Sequence, residues 1–301
     1  MTSLILILVV TLFFHGLVFR TKSLLSGRQG PGLLQPIKDI WRQLRKGAVF
    51  SDTSTIIFRI APGIYFASVL TAVLCVPFGG IPGLISFPGD FVFFAYALAL
   101  GKFFMIVAAM DTGSSFEGMG ASREAHFSML AEPAFFTIMG SLALFTGQLS
   151  FRDIFASLHF SSSFSIAMGL LAAMILLILA MIENSRMPVD DPRTHLELTM
   201  VHEVMILDNS GFDLGLILFT TNLKFALFGA LAANLFINTF PLFISIPLFL
   251  AVEAIFAIAI GTVESFVARF RMGRNPQFIF TITSYALVVF LFVLFITGRS
   301  S

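Results

Sequence analysis

The chain has 301 residues, of which 57% are hydrophobic and 12% charged, with 38 phenylalanines and a mean hydropathy of +0.95. Soluble domains carry about 25% charged residues, so this composition excludes a water-soluble domain and describes an integral membrane protein. The net charge of +1 says nothing about partners, and the single cysteine, Cys75, excludes an internal disulfide or a thiolate-held metal cluster made by this chain alone.

In chain order, residues 3–19 are apolar, carry no positive charge before them and are followed by Arg20 and Lys22. These flanks are the reverse of a secretory signal's, so the segment is expected to remain as a first span. A bilayer core takes about 20 apolar residues in a helix. That rule places spans at 3–19, 60–78, 91–110, 127–147, 164–182, 214–236, 240–262 and 278–297. The expectation is an all-α polytopic membrane protein of eight transmembrane helices forming one domain over residues 1–301. Gly-, Pro- or Asn-rich turns at Phe78–Asp90 and Ile237–Phe240 join neighbouring spans.

Lys and Arg set the orientation. Fourteen of the 18 fall in four loops on one face. The first loop holds Arg20, Lys22, Arg28, Lys38, Arg42, Arg45, Lys46 and Arg59; the others hold Arg123, then Arg186 and Arg193, then Arg269, Arg271 and Arg274. These loops are expected in the cytoplasm and both termini outside. Within the first loop, 20–59, Pro36 suits a helix start and Gly47 its end. Ile37, Ile40, Trp41 and Leu44 share one face and Lys38, Arg42, Arg45 and Lys46 the other, which predicts a basic amphipathic helix at the membrane surface. Its role is open between a lipid anchor and a docking face.

The central loop, 183–213, concentrates acids: Glu183, Asp190, Asp191, Glu197, Glu203 and Asp208, with Asp213 at its edge. Thr194 and Glu197 form a capping box, predicting a helix through His195, Glu197, His202 and Glu203 toward Leu207. His195 and His202 are seven apart and share a face. The spacing is not that of a two-histidine metal motif, so hydrogen-bonded or partner-facing histidines are expected and no metal is assigned.

Ionisable groups at membrane depth mark a functional path or a buried pair. Here they are Lys102, Glu132, Lys224 and Glu253, with Asp111, Glu183 and Glu264 at span ends. The residues leave proton path and structural pairing open. Glu132 precedes Pro133, which removes a helix hydrogen bond and predicts a kinked or locally opened span.

Three stretches together resemble subunit 1 of respiratory complex I: GRQGPGLLQPIKDIWRQLRK, GMGASREAHFSMLAEP and ENSRMPVDDPRTHLELTMVHEVMILDNSG. The family has a quinone-reducing branch and a branch of membrane-bound [NiFe] hydrogenases that includes formate hydrogenlyase. The quinone-branch loop reads P-F-D-x-x-E-x-E-x-E. Pro188, Asp190 and Glu197 match it, but Val189 replaces the Phe, and Arg193 and His195 stand at the intervening acidic positions. The forms GASREA, AEP and THLELTM-x-HE are those of the hydrogenase branch.

The resemblance implies a non-catalytic membrane subunit of an oxidoreductase complex in the cell inner (plasma) membrane. Its expected partners are [NiFe] hydrogenase large and small subunits, iron–sulfur subunits and antiporter-like membrane subunits. The [NiFe] centre and iron–sulfur clusters belong to those partners, and this chain is expected to hold no cofactor. Ion movement is assigned to Glu132, Glu183, Asp190, Asp191, Glu197, Glu203, Lys102, Lys224 and Glu253. Docking is assigned to Arg28, Gln35, Asp39, Arg123, Glu124, Arg193, His195 and His202. Two alternatives stand beside this reading: the quinone branch of the same family, and a stand-alone secondary transporter. The second is opposed by the lack of a repeat between the two halves.

Overall fold

The computed structural model describes residues 2–158, 163–190, 200–237 and 240–300. Eight long helices carry the chain back and forth: α1 (Thr2–Leu25), α3 (Ile56–Cys75), α4 (Asp90–Asp111), α5 (Ser115–Thr146), α7 (Ser163–Glu183), α9 (Gly211–Ile237), α10 (Leu242–Phe266) and α11 (Asn275–Ser300). Among the described residues three short α-helices, α2 (Gln35–Leu44), α6 (Phe151–Ser157) and α8 (His202–Met205), and a 3-10 turn at Met272–Arg274 lie between them. Among the described residues there is no strand. All eight long helices are long and apolar enough to cross a membrane. Lipid leaves no water for backbone groups, and a helix satisfies them internally.

α9 is the centre of the bundle. In it 78% of the apolar window is buried, and α1, α2, α3, α7 and α10 all pack against it. Ala226, Gly229, Ala230, Ala232 and Ala233 are buried along it, and small residues let neighbouring helix backbones approach closely. The outer helices α10 and α11 keep apolar side chains such as Phe243, Phe280 and Phe295 exposed, as surfaces facing lipid or other subunits do.

Four sequence expectations either meet the structure or fall outside the described residues. α5 begins at Ser115, not near 127, so its 32 residues run about 48 Å and its first turns rise beyond the membrane core. α5 is one helix through Pro133. In the central loop, 191–199 lie outside the described residues, so the Thr194–Glu197 capping box lies there too. The helix expected to run on toward Leu207 is not formed: Met200 and Val201 are non-helical and only His202–Met205 turns helically. The cause is Asp190, whose Oδ2 accepts the backbone N–H of Val201 at 2.9 Å and of His202 at 3.3 Å, removing donors a through-going helix needs.

α2 does form, ending at Leu44 rather than near Gly47. Its buried face is centred on Ile40, while Trp41 points outward, 57% exposed and beneath the Arg45 guanidinium at 5.0 Å. Leu44 seats on α9 at Gly215, where a β-carbon would lie 2.9 Å from the Leu44 nitrogen. The helix is therefore docked on the bundle as well as amphipathic.

Candidate functional site

Among the described residues, most of the buried charge gathers at the end of the bundle that carries residues 26–55, 184–190, 200–210 and 267–274. Lys102 of α4 is held by groups on α5 and α7. Its Nζ lies 2.9 Å from Glu183 Oε2 and 3.1 Å from Glu124 Oε1, and donates to Ser128 Oγ at 2.7 Å. Lys224 of α9 reaches the same Glu183 Oε2 at 2.9 Å and the Glu183 carbonyl at 2.7 Å. Ser185 Oγ donates to Glu124 Oε2 at 3.0 Å. Two ammonium groups thus face two carboxylates across four helices, with Glu183 shared. An unpaired charge at this depth would be costly; paired in this way the set is neutral in total and hydrogen-bonded.

Lys102 is the member with two acids in reach, Glu124 and Glu183, whereas among the described residues Lys224 pairs with Glu183 alone.

Immediately beyond α7, Arg186 forms a second cluster. Its Nε and Nη2 donate to the two oxygens of Glu264 at the end of α10, the latter bond being 3.1 Å. Its Nη1 lies 3.4 Å from His15 Nε2 of α1, and its guanidinium sits over the rings of Phe19 and Phe225. Lys22 adds a contact to Glu264 at 3.5 Å. The fork geometry and aromatic faces suit arginine specifically.

A third cluster ties down the acidic loop. Asp190 is fully buried, paired with Arg269 Nη2 at 2.9 Å while its other oxygen holds the Val201 and His202 amides. Asn275 Nδ2 donates to the Val189 carbonyl at 2.8 Å, and Arg123 Nη1 to the Met200 carbonyl at 2.9 Å. Glu117 Oε1 accepts the Asp208 amide at 2.8 Å. The loop is thus fastened to α5 and to the start of α11 by side chains distant in sequence.

Between these clusters and α2 lies a cavity of about 270 Å³, lined among others by His15, Phe19, Asp39, Arg186, His202 and Glu203. His202 faces it half-buried. Burial holds the His202 imidazole below its ordinary pKa; Lys224 and Lys102 push the same way and Glu124 opposes them.

The expected residues separate as follows. Lys102, Glu183 and Lys224 come together. Glu124, expected to dock a partner, is 4% exposed and completes that network instead, because the extra turns of α5 carry it inward. Arg123 is half-buried and committed to Met200. Asp190 is locked by Arg269, and Glu203 lines the cavity. Glu132 is exposed on the flank of α5, beside a cleft of about 40 Å³ shared with Lys102 and Glu183. Glu253 is buried apart from all of these. Arg28 and Asp39 are exposed; Gln35 is half-buried and bonded to Asp39 at 2.9 Å. Asp191, Arg193, His195 and Glu197 lie outside the described residues. Among the described residues no group of acids and histidines is placed to hold a metal ion. The pairings of Arg186 with Glu264 and of Arg269 with Asp190 were not foreseen. Their only sequence signal was a basic residue placed just after a span whose own end, or whose neighbour's, carries an acid.

Residues 1–296 match the family described as NADH dehydrogenase. Formate hydrogenlyase subunit 4 of Escherichia coli is 26% identical over 288 residues, 93% of this chain and 92% of that protein. Hydrogenase-4 component C of the same organism is 28% identical over 235 residues, covering 77% and 73%. A subunit of the NADH-quinone oxidoreductase of Wolbachia pipientis is 28% identical over 58% of this chain and 55% of its own. Among solved structures, a chain of the membrane-bound sulfane sulfur reductase, an archaeal respiratory membrane complex, superposes with a TM-score of 0.81 at 19% identity, covering 96% of both chains. That likeness bears on the fold.

Proposed function

The chain belongs to the NADH dehydrogenase subunit 1 family, as a multi-pass membrane protein, and we propose that it anchors an energy-converting [NiFe] hydrogenase of the formate hydrogenlyase type and couples its electron transfer to ion movement. The near full-length match to formate hydrogenlyase subunit 4 supports the branch. In this reading the loop-rich end faces the cytoplasm, as the Lys and Arg distribution expects. Hydrophilic subunits carrying the [NiFe] centre and iron–sulfur clusters dock there, and antiporter-like subunits pack alongside in the inner membrane. This chain supplies position and charge, with no cofactor of its own.

The observation that carries the proposal is the Glu124–Lys102–Glu183–Lys224 network. It sits directly beneath the Arg186 and Asp190 straps, so a displacement of the loop reaches it through Ser185 and the end of α7. In the assembled complex, Glu183→Gln is expected to preserve co-purification with the [NiFe] subunit. Ion movement coupled to hydrogen evolution should fall by about tenfold, the scale of a coupling free energy. Wild-type ion movement in that variant would remove the network from the mechanism.

A second reading, with electrons ending on quinone, is favoured by the 270 Å³ cavity, which is partly polar and slightly below the size of ordinary small-molecule sites, about 300–1,000 Å³. Inhibition of the parent complex by quinone-site inhibitors supports it. Insensitivity together with vigorous hydrogen evolution removes it.

A further inference from the structure

Glu253 stands apart from every ion pair described above. It lies in the middle of α10, about 16 Å of helix from Glu264, and is 2% exposed. Neither carboxyl oxygen has a hydrogen-bond partner among the described residues. Gly229 of α9 lies directly against it, and a β-carbon there would collide with Glu253 Oε2. On the other side a cavity of about 130 Å³ between α1 and α10 is lined by Val10, Phe14, Leu250, Ala254 and Ala257, among other apolar residues.

The helices packed against α10 are α1, α9 and α7. Their charged or titratable groups are His15, Arg20 and Lys22, then Asp213 and Lys224, then Glu183. None of them partners Glu253. An uncompensated charge so placed is costly, and a carboxyl relieves it by binding either a proton or a metal cation. A hard cation needs several oxygen ligands. This site offers one carboxyl among apolar side chains, and the surrounding carbonyls are committed to helix hydrogen bonds.

We propose that Glu253 is a proton-binding site that rejects Na+, placed beyond the Lys102–Glu183–Lys224 network on the route away from the loop-rich end. The route rests on the proposed function; the selectivity rests on the geometry alone. Binding forms one O–H bond on the carboxyl and release breaks it, with no other group transferred.

Infrared difference spectra of the intact purified complex test the selectivity. A carbonyl-stretch band of a protonated carboxyl is expected in the wild type, lost in Glu253→Gln, and unchanged when Na+ replaces K+ at constant pH. A band that shrinks on adding Na+, or no band lost in the variant, overturns the proposal. Should Glu253→Gln fail to assemble, Glu253→Asp, which keeps the carboxyl and shifts its band, carries the same Na+ test. Coupled ion movement separates this site from the wider reading. A fall of about tenfold in Glu253→Gln, partly restored in Glu253→Asp, supports the route. Wild-type movement in Glu253→Gln with loss in Glu183→Gln overturns the place of Glu253 and leaves the coupling function standing. Loss in neither variant overturns both.

Discussion

Arg186 does more for this structure than its position in a polar loop suggests. Its guanidinium joins the end of α10 through Glu264, α1 through His15 and α9 through the Phe225 ring. Removing one partner of a buried pair costs about 3–5 kcal/mol when the other charge is left stranded, and here Lys22 stays 3.5 Å from Glu264. Arg186→Ala is therefore expected to lower the unfolding free energy of the detergent-purified protein by up to about 3 kcal/mol. Arg186→Lys should recover only part of it, because an ammonium cannot serve both carboxylate oxygens in a fork. Chemical-denaturant curves for the three proteins check the order. At this scale the sequence was half legible. Lys102, Lys224 and Glu183 declared themselves as charges within or beside apolar runs. Glu124 did not, since it sits among Ser122, Arg123 and His126 and reads as loop until α5 is seen to start at Ser115.

Among the elements, α2 shows the difference between a pattern and its placement. The 3.6-residue spacing of Ile37, Ile40 and Leu44 was enough to foresee an amphipathic helix, but not that α9 would receive it. The receiving groove exists because Gly215 has no side chain opposite Leu44. Gly215→Leu is expected to lift α2 off the bundle while leaving the eight long helices in place. Hydrogen exchange over residues 35–44 should then speed up, and cleavage by trypsin at Arg42 and Arg45 should increase; unchanged exchange would show that the helix is held by other contacts. α8 illustrates the converse failure. Its sequence carries helix-compatible residues from His195 onward, yet a tertiary carboxylate, Asp190, takes the amides of Val201 and His202. No local pattern signals a competitor 11 residues away in the chain.

Across the whole molecule, the loop-rich end is a charged interior under a strapped acidic loop, and this makes it sensitive to pH through His202. Burial lowers the folded-state pKa of His202 below its ordinary value of 6.5, so at pH 7 the imidazole is neutral in both folded and unfolded chains. Below about pH 6.5 the unfolded chain takes up the proton first. Stability is thus fully present above that value and declines as pH falls from there toward the lower folded-state pKa. Thermal unfolding of the wild type is expected to show this decline, and His202→Gln to flatten it; an equally steep decline in the variant would place the effect in other groups.

What the sequence determined alone was the membrane class, the number and approximate position of the eight spans, and the family likeness carried by three ordered motifs. Hydropathy sums over neighbours in the chain, so it needs no knowledge of the fold. The tertiary structure decided which charges meet. The Lys22–Glu264 contact spans 242 residues of sequence, Arg186–Glu264 spans 78 and Lys224–Glu183 spans 41. Each depends on which helices pack against α9 and at what height. It also decided that Glu253, one more acid in an apolar run by sequence, meets no hydrogen-bonding partner among the described residues, because Gly229 and the apolar wall of α1 are what packing brings to it.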